Sequence, residues 1–177
     1  MIPYLLTISS ETKGQNRFLD SLKNVTVEHI AIQFQPPNHR IDPFTYREYN
    51  FKYPGHIQKY AYVPRDLDKD RYVVFSDTDD VIFQTDLPEF KADLYLAPEN
   101  EIHRGSWWES YIAQYPIFKS LLDKPIYNSG CWAMKVKTLY DLLDFQQEVG
   151  IFGNLCQCHF NLFIQERPEL SRVEDLS

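Results

Sequence analysis

The chain has 177 residues, of which 44% are apolar and 15% aromatic, which excludes a disordered protein and predicts one compact domain over residues 1–177. Eighteen basic against 25 acidic residues give a net charge of −7, so non-specific binding of nucleic acid is not expected. No apolar stretch reaches the roughly 20 residues of a transmembrane segment, and the first residues lack the charge pattern of a secretory leader. Three cysteines, an odd number, favour a reducing compartment. We therefore expect a cytoplasmic protein.

In chain order, apolar residues alternate between the spacing of strands and the spacing of helices. The pattern predicts strands over 2–8, 25–34, 71–76, 93–97 and 126–136. It predicts helices over 15–22, 56–62, 106–122, 138–149 and 154–165. Strands and helices that alternate in this way predict an α/β domain with a mostly parallel central sheet flanked by helices.

The most informative stretch runs from Arg71 to Phe83. A short apolar run ends in Asp77-Thr78-Asp79-Asp80 before the chain turns apolar again. Carboxylates this close repel one another unless a cation neutralises them, and the carboxyl end of a central strand is where open α/β sheets bind ligands. Asp77 and Asp79 are two residues apart, so on an extended backbone both point the same way. This pattern predicts a site for Mg²⁺ or Mn²⁺ with a phosphate on its far side.

A second polar interruption, Asn128-Ser129-Gly130, lies inside an apolar strand-like run. Glycine permits the close approach of a backbone or ligand, and asparagine offers both a donor and an acceptor, although a β-bulge without a ligand would explain the pattern equally well. On the last predicted helix, Gln157 and Asn161 are four residues apart and share one face.

Together these segments resemble the GT-A type glycosyltransferases, which use nucleotide-diphosphate sugars. The resemblance implies a GT-A-like (Rossmann-like) domain in which Asp77 and Asp79 hold Mn²⁺ or Mg²⁺ against the donor diphosphate. It implies that Asn128, Ser129 and Gly130 line the sugar and acceptor side, and it places Gln157 in the catalytic group. Thr7 would lie near the nucleoside and Lys59 near the donor. The acceptor would be a glycan, a protein or a small molecule.

Two other interpretations remain open. The Asp77-Thr78-Asp79 motif also resembles the nucleophile motif of haloacid-dehalogenase-type phosphatases, in which the first Asp attacks phosphate. The chain could instead be a GT-A-like module that binds a nucleotide or glycan without turnover, because Cys156 stands where the family's helix motif usually has Asp. The neighbouring pattern Cys156-x-Cys158-His159 lacks a second pair of ligands, so it predicts buried thiols and no zinc site.

Overall fold

The computed structural model describes residues 1–9, 15–33, 39–41, 48–50, 63–77, 81–106, 108–149 and 156–170. The strands are β1 (Tyr4–Ser9), β2 (Glu28–Gln33), β3 (His39–Ile41), β4 (Glu48–Asn50), β5 (Tyr72–Ser76), β6 (Leu94–Ile102) and β7 (Pro125–Lys135). The α-helices are α1 (Gln15–Ser21), α2 (Glu109–Ile112), α3 (Val136–Val149) and α4 (Cys156–Glu166). Three short 3₁₀ helices, Leu22–Asn24, Pro116–Leu121 and Pro168–Leu170, complete the described elements.

Five strands form the main sheet in the order β2-β1-β5-β7-β6, while β3 and β4 form a separate antiparallel pair. The predicted α/β architecture is confirmed, and β5 occupies the centre of the sheet as residues 71–76 were expected to. The expectation of a mostly parallel sheet is wrong. Strand β1 is parallel to β2 and β5, but β7 is antiparallel to both β5 and β6. The reason is that a buried apolar run looks the same in either direction, so its sequence does not specify the sense of pairing.

Apolar side chains of the central strands alternate between two cores on the opposite faces of the sheet. Phe75 and Trp132 stack with their ring centroids 5.2 Å apart, and Trp132 lies 6.1 Å from the ring of Phe160 on α4. The core on this face also includes side chains of α3. The other face packs against Phe18 of α1. Helices therefore flank both faces. Helix α4 packs against Trp132 of β7, near the carboxyl end of β5, where the candidate site lies.

The single helix predicted over 106–122 is wrong. The chain forms the short helix α2 and then the 3₁₀ helix Pro116–Leu121. Pro116 lacks a backbone N–H and disfavours the helical conformation at Tyr115, which is extended with φ −128° and ψ 102°. Residues 56–62 lie outside the described part of the chain, so the helix predicted there stays a prediction. Within the described residues, no helix combines the length and apolar character needed to cross a membrane.

Candidate functional site

The candidate site lies where the strand order reverses. From β1 the chain continues to β2 on one side, and it later returns to β5 on the other side of β1. Strands β1, β2 and β5 are parallel, so their carboxyl ends meet at one edge of the sheet. Such a reversal leaves a crevice outside the carboxyl ends of the strands, which is the usual ligand position in open α/β sheets. Asp77 directly follows β5 at this edge.

Asp77 lies against Gly130 of the neighbouring strand β7. The backbone N–H of Asp77 donates to the carbonyl oxygen of Gly130 at 2.8 Å. A Cβ atom built on Gly130 would lie only 2.1 Å from Asp77 Oδ2 and 2.9 Å from its Cγ. The absence of a side chain at Gly130 is therefore what lets the Asp77 carboxylate occupy its position. Glycine is needed at position 130 for space and not for an unusual backbone conformation, because the one described glycine with a positive φ is Gly105.

Residues 128–130 form a bulge in β7. Between the pairs Leu96–Trp132 and Pro98–Tyr127, β6 advances by two residues while β7 advances by five. Within the bulge, Asn128 Oδ1 accepts a hydrogen bond of 2.5 Å from the backbone N–H of Gly130. That oxygen is also 3.0 Å from the position of a Cβ on Gly130. The side-chain carbonyl oxygen of Asn128 and a carboxylate oxygen of Asp77 thus both lie within 3.0 Å of the position that a Cβ on Gly130 would take.

Gln157 of α4 holds the middle of the bulge. Its Oε1 atom lies 3.4 Å from both the backbone nitrogen and the Oγ of Ser129, and both of these groups are placed to donate. Its Nε2 atom donates to Glu99 Oε1 at 3.1 Å. Asn128 Nδ2 donates to the same Glu99 oxygen at 3.0 Å. Glu99, in the second half of β6, therefore ties the bulge to α4.

Asn161 of α4 anchors the segment that precedes the bulge. Its Oδ1 atom accepts from the backbone N–H of Tyr127 at 2.8 Å, and its Nδ2 atom donates to the Tyr127 carbonyl at 2.9 Å. The same Nδ2 atom donates to the carbonyl of Gln157 at 2.8 Å. Asn161 is 3% exposed, so its amide satisfies the backbone N–H and carbonyl of Tyr127 inside the protein. These contacts are structural, because they attach α4 to the backbone of β7 at Tyr127.

Thr7 lies on the other face of the sheet from Asp77. Its Oγ1 atom is 2.8 Å from Nε2 of His29, whose ring packs against Phe18 on α1. Burial lowers the pKa of His29. Asp77 instead continues the alternation of Phe75, which belongs to the core beneath α4. The Thr7 side chain is therefore not brought together with the Asp77 carboxylate, although both residues lie at the same edge of the sheet.

Two of the predicted residues fall outside the described part of the chain, namely Asp79 and Lys59. Their assignment to the donor and the metal stays a prediction. Of the cysteines on α4, Cys158 is fully buried, as its position predicted. No group of three or more His, Cys, Asp or Glu side chains is arranged around a common point within the described residues, a set that leaves out Asp79 and Asp80.

Glu99 is the site residue that sequence reasoning missed. The strand predicted over 93–97 ended just before it, whereas β6 continues to Ile102. The available signal was two glutamates, Glu99 and Glu101, within five residues of the buried apolar run that ends at Leu96. A cleft of about 410 Å³ opens beside Glu99. It is lined by Pro98, Glu99, Glu101, Ile102, Pro125 and Ile126.

The donor atoms over Gly130 fit a hard divalent cation. Carboxylate and amide oxygens are the ligands that Mg²⁺ and Mn²⁺ accept, and Asp77 and Asn128 bring one oxygen of each kind to the same side of Gly130. A hydrogen-bond donor, such as a hydroxyl group, would suit the same two oxygens. A scan of the chain against protein-family models finds no match, and neither does a search of curated proteins.

Proposed function

We propose that the protein is a metal-dependent glycosyltransferase that moves a sugar from a nucleotide-diphosphate sugar to an acceptor. The observation that carries the proposal is the position of Asp77, which follows the central strand β5 at the reversal point of the sheet and faces Asn128 across Gly130. Ligands of open α/β sheets bind at such a point. The resemblance of the Asp77, Asn128 and Gln157 segments to GT-A type enzymes supplies the reaction.

The electrostatics of the proposed site require a cation. Two unit charges of the same sign at 4 Å repel by about 4 kcal/mol at an effective dielectric constant of 20. A diphosphate would therefore be expelled by Asp77, and more strongly by Asp77 and Asp79 together. We assign both aspartates to Mn²⁺ or Mg²⁺. When bound, the metal would offset this repulsion and stabilise the charge of the leaving diphosphate as a Lewis acid.

The residues of the bulge have separate tasks in this proposal. Asn128 presents its carbonyl oxygen on the side of Asp77, where it can accept a hydroxyl proton of the transferred sugar. Ser129 is 3% exposed and bonded to Gln157, so we assign both residues to holding the bulge and not to contacting the substrate. The cleft beside Glu99 adjoins the bulge, and we assign the acceptor to it.

Calorimetric titration of uridine-diphosphate sugars and other nucleotide sugars, with and without Mn²⁺, tests the proposal. Asp77→Asn should weaken Mn²⁺-dependent binding at least tenfold, which corresponds to about 1.4 kcal/mol. Asp141→Asn is the matched control, because Asp141 is an exposed aspartate on α3. Equal affinity in wild type and Asp77→Asn, or binding that is indifferent to a chelator, would refute the donor site. Hydrolysis of simple phosphate esters through a phosphoryl-aspartate at Asp77 would support the phosphatase alternative instead.

A further inference from the structure

Glu99 is the meeting point of two side-chain amides that come from different elements. One of its oxygens, Oε1, accepts from Asn128 Nδ2 at 3.0 Å and from Gln157 Nε2 at 3.1 Å. An ionised carboxylate can only accept hydrogen bonds. Each amide must therefore turn its NH₂ group toward Glu99 and its carbonyl oxygen away from it.

The backbone of the bulge enforces the same orientation from the other side. Asn128 Oδ1 accepts from the N–H of Gly130, and Gln157 Oε1 faces the N–H of Ser129. Rotating either amide by 180° would place an NH₂ group against a backbone N–H and an oxygen against the carboxylate. Both of these contacts are repulsive, so the orientation of the two amides follows from the network.

The orientation has a consequence for the site above Gly130. Because Asn128 turns its oxygen away from Glu99, an oxygen and not an NH₂ group lies near the side-chain position of Gly130, next to which Asp77 Oδ2 also lies. We propose that Glu99 is a positioning residue, which holds Asn128 and Gln157 so that the site receives a cation or a hydroxyl donor. This inference rests on the proposed function for the identity of the ligand but not for the hydrogen-bond network.

The alternative role for Glu99 is a direct one, in which its negative charge contacts the substrate. The two roles predict different results for two substitutions. Glu99→Gln keeps a side-chain oxygen that can accept both amide protons, so it preserves the orientation while removing the charge. Glu99→Leu removes the acceptor while keeping a side chain that extends to Cδ. Glu148→Gln is the matched control, because Glu148 is an exposed glutamate on α3, away from the proposed site.

The first readout is independent of any ligand. In ¹H–¹⁵N NMR spectra, the side-chain NH₂ signals of Asn128 and Gln157, assigned by substituting each residue, should be protected from exchange in wild type and Glu99→Gln. In a folded Glu99→Leu protein, the exchange rates of these NH₂ groups should rise at least tenfold. Unchanged protection in Glu99→Leu would overturn the proposal, even if the protein binds no nucleotide sugar.

The second readout is Mn²⁺-dependent affinity for a uridine-diphosphate sugar. We expect Glu99→Gln and Glu148→Gln to remain within about threefold of the wild-type affinity, and Glu99→Leu to lose at least tenfold. An equal loss of affinity in Glu99→Gln and Glu99→Leu would overturn the positioning role, because it would show that the negative charge of Glu99 itself supports binding. Intact amide protection in a wild-type protein that binds no donor would instead contradict the proposed function alone.

Discussion

Gly130→Ala is the sharpest perturbation of the candidate site. The new Cβ would lie 2.1 Å from Asp77 Oδ2, and ordinary contact begins at 3.4 Å, so the carboxylate must retreat by about 1.3 Å. The Asp77 backbone is tied to the Gly130 carbonyl at 2.8 Å, so the movement falls on the short side chain. We expect the fold to survive at a cost of about 1 to 2 kcal/mol in the free energy of unfolding.

Binding should be weakened as well as stability. A carboxylate displaced by this distance no longer lies beside the side-chain oxygen of Asn128. The Mn²⁺-dependent affinity for a nucleotide sugar should therefore fall at least tenfold, or about 1.4 kcal/mol. Calorimetric titration measures this loss, and urea denaturation measures the stability. Gly105→Ala is the control for stability alone. Its φ of 81° strains an alanine by about 1 to 2 kcal/mol, but a Cβ there meets no atom within 4 Å.

A double-mutant cycle identifies the cause of the effect. If Gly130→Ala acts by colliding with Asp77, its cost in stability should largely disappear when Asp77 is already alanine. Wild-type affinity in a folded Gly130→Ala protein would refute the reasoning about the donor site. A full stability cost in the Asp77→Ala background would refute the steric argument itself, because the carboxylate would no longer be present to collide.

Two further predictions concern stability. Asn161→Ala should lower the free energy of unfolding by about 2 to 4 kcal/mol, because it strips the backbone of Tyr127 of two buried hydrogen bonds; a loss below 0.5 kcal/mol in urea denaturation would contradict this role. Burial lowers the pKa of His29 and His103, so the folded state binds fewer protons than the unfolded state. Stability should therefore fall as pH drops below about 6.5, by at most about 1.4 kcal/mol per pH unit for each histidine. His103→Asn, which can still donate to the Lys124 carbonyl, should flatten this dependence, and an unchanged slope would exclude His103 as a cause.

The central strand and its acidic end could be predicted because their signals are local. A run of apolar residues that stops before Asp77 indicates both a buried strand and the point where that strand ends. The structure places this strand, β5, in the middle of the sheet. The glycine of the second motif was likewise expected to permit a close approach. The structure identifies the approaching group as the Asp77 carboxylate, which no pattern around Gly130 specifies.

Glu99 could not be predicted in the same way, because its role depends on contacts that are distant in sequence. Its partners are 29 and 58 residues away, on β7 and α4. A glutamate after an apolar strand is usually an exposed residue at a turn, and nothing local distinguishes the two cases. The position of Thr7 shows the converse limit. It lies in the second half of β1, toward the edge of the sheet where Asp77 is found, but the alternation of that strand turns its side chain toward His29.

The error about strand direction bears directly on how the site is built. In a fully parallel sheet, each neighbour of β5 would bring its own carboxyl end to the edge where Asp77 lies. Because β7 is antiparallel, it instead brings the beginning of a strand, which is where the bulge at residues 128–130 occurs. Strand β6, antiparallel to β7, then runs in the same direction as β5 and delivers Glu99 to that edge. The reversed direction of β7 thus brings together Asp77, Asn128 and Glu99 from three consecutive strands of the sheet. Gly130→Ala displaces the aspartate of this group, and Glu99→Leu removes its glutamate.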